Sequence, residues 1–331
     1  MSRRLLIAVF VALLRCASLG AAENVLVASS RSNSIEQFTT SGAWVRTFAT
    51  TGPYAPVALA QSPLTGEILV TTFYASGAAA GQLTSIILRY QANGHFDTNW
   101  DTFAVVCSFC PTSQTQSLLF DSSGNLWVAT AYGEDIGGPI YIFKYLAADL
   151  TLPNPPAQPG FIKAPMIRGS QMAFNAHGNL CIAGFIDEDV QCYDTATFAQ
   201  TADYYAEIHA SSISPTIEPG GLAFDRENRL YLTSVFGGQL AKEQAPGGPI
   251  VLLASVAPPG IQLEGNLVLR GGNLYTSTYY LAPPTFSTPD GVYEVSTGGT
   301  VTNFIVGSAA PALGNDHIWG AYWMIFYSTT L

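Results

Sequence analysis

Residues 221–238, GLAFDRENRLYLTSVFGG, run from an apolar stretch through a polar turn into a second apolar stretch, then to an aromatic residue and two glycines. The same phrase returns as SLLFDSSGNLWVAT (117–130), QMAFNAHGNLCIAG (171–184) and NLVLRGGNLYTST (266–278), with a looser copy, ALAQSPLTGEILVTT, at 58–72. Self-similarity at a fixed period, here roughly fifty residues, is the mark of a repeat architecture. Within each copy apolar residues alternate on both arms, and Asp, Asn or Gly occupies the turn, where unusual backbone angles are needed. Each copy therefore predicts a β-hairpin.

A Gly- or Pro-rich loop and a third apolar run follow each hairpin: SIILRY, PIYIFKY, DVQCYD, PIVLLAS and GVYEVS. A fourth run often comes next, and helical periodicity is nearly absent. Four strands per unit at this period predict the blades of a β-propeller. The fold expected is all-β: a six-bladed β-propeller of four-stranded antiparallel blades, in one domain over residues 23–331. The N-terminal segment 24–50 supplies second, third and fourth strands but no first. The start of the C-terminal segment 313–331, LGNDHIW, aligns with EGNLVLR and is expected to complete that blade, closing the ring by mixing the two termini. YWMIFYST near the C-terminus also resembles a second strand, which leaves seven blades as the alternative.

Only 11% of the residues are charged and the net charge is −10. With no Lys/Arg cluster outside the N-terminus, binding to nucleic acid through phosphate neutralisation is disfavoured. Arg3 and Arg4 precede an apolar run of ten residues (5–14), and Gly20 and Ala22 stand three residues and one residue before a cleavage point ahead of Glu23. Residues 1–22 thus read as a secretory signal peptide, too short to span a membrane. The expected destination is extracellular or periplasmic, with the chain a monomer.

Removing that segment takes Cys16 and leaves Cys107, Cys110, Cys181 and Cys192, an even number suited to an oxidising compartment. In CSFC (107–110), zinc would need two further ligands, which no second CxxC or nearby His pair supplies. Two disulfides are expected: Cys107 with Cys110, and Cys181 with Cys192 on neighbouring strands.

The first segment, VLVASSRSNSIEQFTTSGAWVRTF, resembles an NHL repeat, and GLAFDRENRLYLTS and LLFDSSGNLWVAT resemble both NHL and gluconolactonase-like propellers. The resemblance covers nearly all of the chain after the leader. It implies the six-bladed fold, but these superfamilies include lactonases, lyases and pure binding platforms. Gluconolactonase-like enzymes hold calcium in an acid and amide cluster, with an Asn-Gly pair before the inner strand. Here the corresponding places read PGG (219–221), TQS (115–117) and GSQ (169–171).

Blade geometry alternates the loops between two faces. Turns such as SSGN, AHGN, QANG and STGG are short; loops such as VFGGQLAKEQAPGG and YYAEIHASSISPTIEPG are long and share the opposite face, where a binding site is expected. Second strands end there in Phe73, Tyr74, Tyr132, Phe185, Phe236, Tyr279 and Tyr280, flat surfaces suited to a sugar ring, an aromatic compound or a peptide. The inner strands begin on this face with Gln114, Gln116, Gln171, Glu218, Glu264, Asn266, Asn315, Asp316 and His317. His209 also lies on this side, whereas His95 and His177 fall in short turns. The acids of IDEDV (186–190) read as a solvated turn, with surface calcium binding as the alternative. The function expected is recognition of a small molecule, glycan or protein on the long-loop face, with no cofactor. The alternative is a metal-assisted, calcium-type lactonase-like hydrolase or lyase at the central channel. Its ion would sit among Glu218, Glu264, Asn266 and Asn315, and its catalytic pair would be Glu264 and His317.

Overall fold

The computed structural model describes residues 23–73, 86–96, 103–104, 114–131, 139–152, 155–167, 169–213, 217–256, 263, 265–278, 291–306 and 321–328. Blade A takes β1 (Glu23–Ser29), β2 (Ser34–Thr39) and β3 (Trp44–Thr50). Blade B is β4 (Ala55–Gln61), β5 (Ile68–Phe73), β6 (Ile86–Tyr90) and β7 (Phe103–Ala104). Blade C is β8 (Gln114–Phe120), β9 (Leu126–Ala131), β10 (Pro139–Tyr145) and β11 (Ile162–Ile167). Blade D is β12 (Gly169–Phe174), β13 (Leu180–Gly184), β14 (Asp189–Tyr193) and β15 (Gln200–Asp203), followed by a five-residue helix, α1 (Tyr205–His209). Blade E is β16 (Pro219–Phe224), β17 (Leu230–Ser234), β18 (Gln239–Glu243) and β19 (Ile250–Ser255). Blade F is β20 (Leu267–Arg270), β21 (Asn273–Ser277), β22 (Gly291–Ser296) and β23 (Val301–Val306), and β24 (Ala321–Ser328) returns to blade A.

These strands form six four-stranded antiparallel sheets, the six-bladed propeller expected from the repeat. Ring closure follows the mixing of termini but uses a different segment. β24 pairs with β1 from Glu23↔Ser328 to Ser29↔Ala321, so AYWMIFYS, rather than the residues before it, is the first strand of blade A. The likeness of YWMIFYST to a second strand reflects only its continuous apolar pattern, which any strand buried on both faces shows.

The cores lie between blades. One cluster joins Leu26, Phe48 and Trp323 of blade A to Leu59, Val70 and Tyr90 of blade B. Equivalent clusters fill the seams B–C, C–D, D–E, E–F and F–A. Each blade thus hides both sheet faces, which explains why its middle strands read as unbroken apolar runs. In blade C the indole of Trp127 is fully buried, with Phe174 and Phe198 of blade D edge-on to it and its Nε1 donating to Asp121 at 3.2 Å.

The inner strands are kinked where they enter from the long-loop face. Pairing with the second strand slips between Pro56 and Leu59, Thr115 and Ser117, Gly169 and Met172, and Pro219 and Leu222. Such bulges free backbone groups that then need other partners. Thr71 Oγ1 accepts the Ala58 N–H at 3.0 Å, and Thr233 Oγ1 accepts the Gly221 N–H at 2.6 Å. Cys181 and Cys192 stand directly opposite one another on β13 and β14 and form the expected disulfide, fully buried. Cys107, Cys110 and the leader 1–22 lie outside the described residues. Among the described residues no helix is long and apolar enough to cross a membrane.

Candidate functional site

The inner strands pack beside one another around the axis, and their polar side chains bind backbone. Gln171 Oε1 accepts the N–H groups of Leu222 at 2.8 Å and Leu267 at 2.7 Å, while its Nε2 donates to Leu267 O at 3.0 Å. One amide of blade D therefore joins blades E and F across the channel. Asn266 does the same for ring closure: Nδ2 donates to Met324 O at 2.7 Å and Oδ1 accepts the Met324 N–H at 2.9 Å. Gln61 brackets Ser328 in the same way, at 2.8 and 3.1 Å. These amides stand in for a missing sheet partner, since a buried, unpaired N–H or C=O would be costly.

This placement bears on the calcium-type site. Asn266 holds Met324 at both ends of its amide, and Glu218 enters through a different seam; Glu264, Asn315, Asp316 and His317 lie outside the described residues. Among the described residues no group of three or more His, Cys, Asp or Glu side chains is placed to hold an ion. Only Glu218 and Asn266 of that quartet fall within the described residues, and no chemical step is routed through a metal.

Of the predicted aromatic ring, Tyr74, Tyr132, Tyr279 and Tyr280 are outside the described residues, and Phe73 is placed as the end of β5. Phe185 and Phe236 follow the second strands of blades D and E and meet across the seam, their rings 5.4 Å apart and tilted by 53°. Phe185 is 9% exposed and packs the seam, whereas Phe236 is 46% exposed and presents its ring to solvent.

Charged groups surround this pair. Glu218, just before β16, is pushed above its usual carboxylate pKa, first by burial and then by the nearby charge of Glu188, against a hydrogen bond from the Phe236 N–H. Its Oε2 is hidden from solvent and has no partner among the described residues. Glu188 closes the turn between β13 and β14 at φ +52°, a conformation uncommon for a residue other than Gly, Asn or Asp. Its carboxylate lies 3.4 Å from His209 Nε2 at the end of α1, and the Tyr205 ring stacks on His209 with centroids 4.0 Å apart.

Beside these residues runs an open groove of about 650 Å³, bordered by Asp187, Glu188, Asp189, Asp203, Tyr205 and His209. Asp189 corrects the picture of a solvated acidic turn. It is buried, its oxygens accept the Val190 N–H at 2.7 Å and Gln191 Nε2 at 2.9 Å, and burial raises its pKa. Sequence alone did not associate Glu188 with His209, because twenty-one positions and an outer strand separate them. The short helix that turns His209 back over blade D has no periodicity long enough to read. His177 and His95 sit in short turns as expected, their N–H groups donating to Asn175 and Asn93.

No protein-family model matches the chain, and no curated protein sequence matches it. Solved structures do. A chain of a nidogen/laminin complex superposes with a TM-score of 0.59 at 11% identity, covering 93% of this chain and 100% of that one. A 6-phosphogluconolactonase candidate from Bacteroides fragilis gives 0.55 at 15% identity, covering 94% and 99%. A streptogramin B lyase gives 0.54 at 12% identity, covering 86% and 80%. At such identities the likeness speaks for the fold. The chain is a six-bladed β-propeller whose structural neighbours include lactonase-like and lyase propellers, as the resemblance of its repeats implied.

Proposed function

We propose that the protein is a binding platform for a small molecule, glycan or protein, with its site on the long-loop face at the seam of blades D and E. The observation that carries this reading is the Phe185–Phe236 pair, one ring buried as an anchor and one open, beside the unpartnered Glu218 oxygen. An exposed aromatic on a rigid strand end offers a flat apolar surface, and the adjacent carboxylates and His209 supply polar contacts that fix orientation. The neighbours do not choose between binding and chemistry, since one occurs in a nidogen/laminin complex and another is a lyase. The chain acts outside the cytosol, secreted or periplasmic, a reading supported by the Cys181–Cys192 disulfide and by the leader-like N-terminus, and it acts as a monomer.

The test is a binding screen over small molecules, glycans and candidate proteins with the wild type and Phe236→Ala. A ligand whose affinity falls about tenfold in the variant, with an unchanged unfolding midpoint, supports the platform. Turnover of a lactone or related substrate, abolished by Glu264→Ala or His317→Ala, would replace it with the hydrolase or lyase reading.

A further inference from the structure

The short-loop face carries a second feature. In blades C, D and E five residues connect the first and second strands, whereas in blade F only Gly271 and Gly272 do so. Both glycines have positive φ, 59° and 85°, the paired left-handed conformation of a tight two-residue hairpin turn. Nothing lies within 4 Å of where their side chains would project. The space that a longer turn would fill is open, and a groove of about 880 Å³ runs between the turns of blades D, E and F.

Three arginines and two acids line it, and all but one of the arginines are paired. The groove is lined by Arg226, Arg229 and Arg270, by Asn175, and by the rings of Phe174 and Phe224, among others. Its acids are already matched: Asp225 Oδ2 accepts from Arg229 Nε at 2.6 Å and from the Tyr231 hydroxyl at 3.3 Å, and Glu227 lies 3.4 Å from Arg229 Nη2. Arg270 pairs with Glu23 and lies over the Phe326 ring, 4.2 Å from its centroid. Two donors remain. Arg226 has no hydrogen-bond or ion-pair partner among the described residues. Asn175 uses its oxygen for the N–H groups of His177 and Asn179, both at 3.0 Å, and its Nδ2 has no partner among them. The walls thus offer two unmatched donors and two half-buried aromatic rings, with the exposed Glu227 carboxylate turned toward Arg229.

We propose that this groove is a second ligand site, distinct from the seam on the opposite face, for an acidic sugar. A guanidinium matches the planar geometry of a carboxylate, the amide adds a neutral donor, and an aromatic ring accommodates the C–H face of a sugar. The Ala176 N–H donates to Asn228 Oδ1 at 2.8 Å, tying the blade D and E turns together, so the wall that carries both donors is preformed.

The probes are digalacturonate, neutral digalactose and inorganic sulfate, titrated against the full chain by calorimetry or NMR. Digalacturonate is expected to bind, to weaken at least tenfold in Arg226→Ala, and to weaken as salt rises from about 0.05 to about 0.5 M, which shortens the Debye length. Phe236→Ala is expected to leave this binding unchanged, which separates it from the site on the long-loop face. A variant carrying the blade C turn DSSGN in place of Gly271 and Gly272 should lose binding. If that variant does not fold, the Arg226→Ala comparison decides alone. Equal binding of digalactose, equal binding of sulfate, or no effect of Arg226→Ala overturns the proposal.

Discussion

Gln171 in blade D accepts hydrogen bonds from Leu222 in blade E and Leu267 in blade F with the same oxygen, at 2.8 and 2.7 Å. Three inner strands converge on one buried amide. Gln171→Leu keeps much of the volume but strands both N–H groups and the Leu267 carbonyl. Each stranded group costs about 1–3 kcal/mol, so the three together predict a loss of at least about 3 kcal/mol. Urea unfolding followed by tryptophan fluorescence measures it. A loss below about 1 kcal/mol would mean that water enters the channel and replaces the amide.

Ring closure depends on β24. It buries Trp323, Met324 and Tyr327 and supplies the backbone that Asn266 and Gln61 bracket. A chain ending at residue 320 exposes the edge of β1 and opens two seams. It is expected to aggregate or to lack a cooperative transition, because an unpaired apolar edge templates association. A synthetic peptide of residues 321–328 added in trans should partly restore the transition, as read by circular dichroism during heating.

The Cys181–Cys192 bond closes a short loop of eleven positions within blade D. In the chain-entropy description a loop of this size contributes about 2–3 kcal/mol. Replacing both cysteines by alanine should lower stability by about that amount, and the reductant sensitivity of the unfolding midpoint should fall in the same variant. A midpoint that still shifts with reductant would indicate a second bridge, for which Cys107 and Cys110 are available in the sequence.

Glu218 sets a pH dependence of known sign. Burial, and then the charge of Glu188, raises its pKa in the folded chain, so the folded state holds the proton more tightly than the unfolded state. Its contribution to stability is complete below the unfolded carboxylate value of about 4.3 and is lost as pH rises through the folded value. Glu218→Gln removes that loss. The variant should match the wild type near pH 4 and exceed it at neutral pH when unfolding midpoints are compared across pH. Lower stability at neutral pH would show that the ionised carboxylate is engaged by a partner.

The repeating hairpin phrase determined the fold by itself. Alternation with a fixed period specifies the strands, and one turn chemistry, Asp or Asn first and a left-handed Gly or Asn fourth, recurs in blades C, D and E because the same backbone geometry recurs. The Cys181–Cys192 bond was legible for the same reason, since hairpin register places the two positions opposite one another. The first strand of blade A was not, because the apolar segments near the C-terminus look alike to one another, and only pairing with β1 distinguishes them. The roles of Gln171 and Asn266 were hidden for a further reason. A polar residue at a channel mouth reads as a ligand contact, and it becomes a scaffold only when neighbouring inner strands bring their unpaired N–H groups within 3 Å. The meeting of Phe185, Phe236, Glu188, Glu218 and His209 likewise depends on two blades curving together and on the helix folded between them. The sequence supplied the parts of that seam, and closing the ring placed them beside one another.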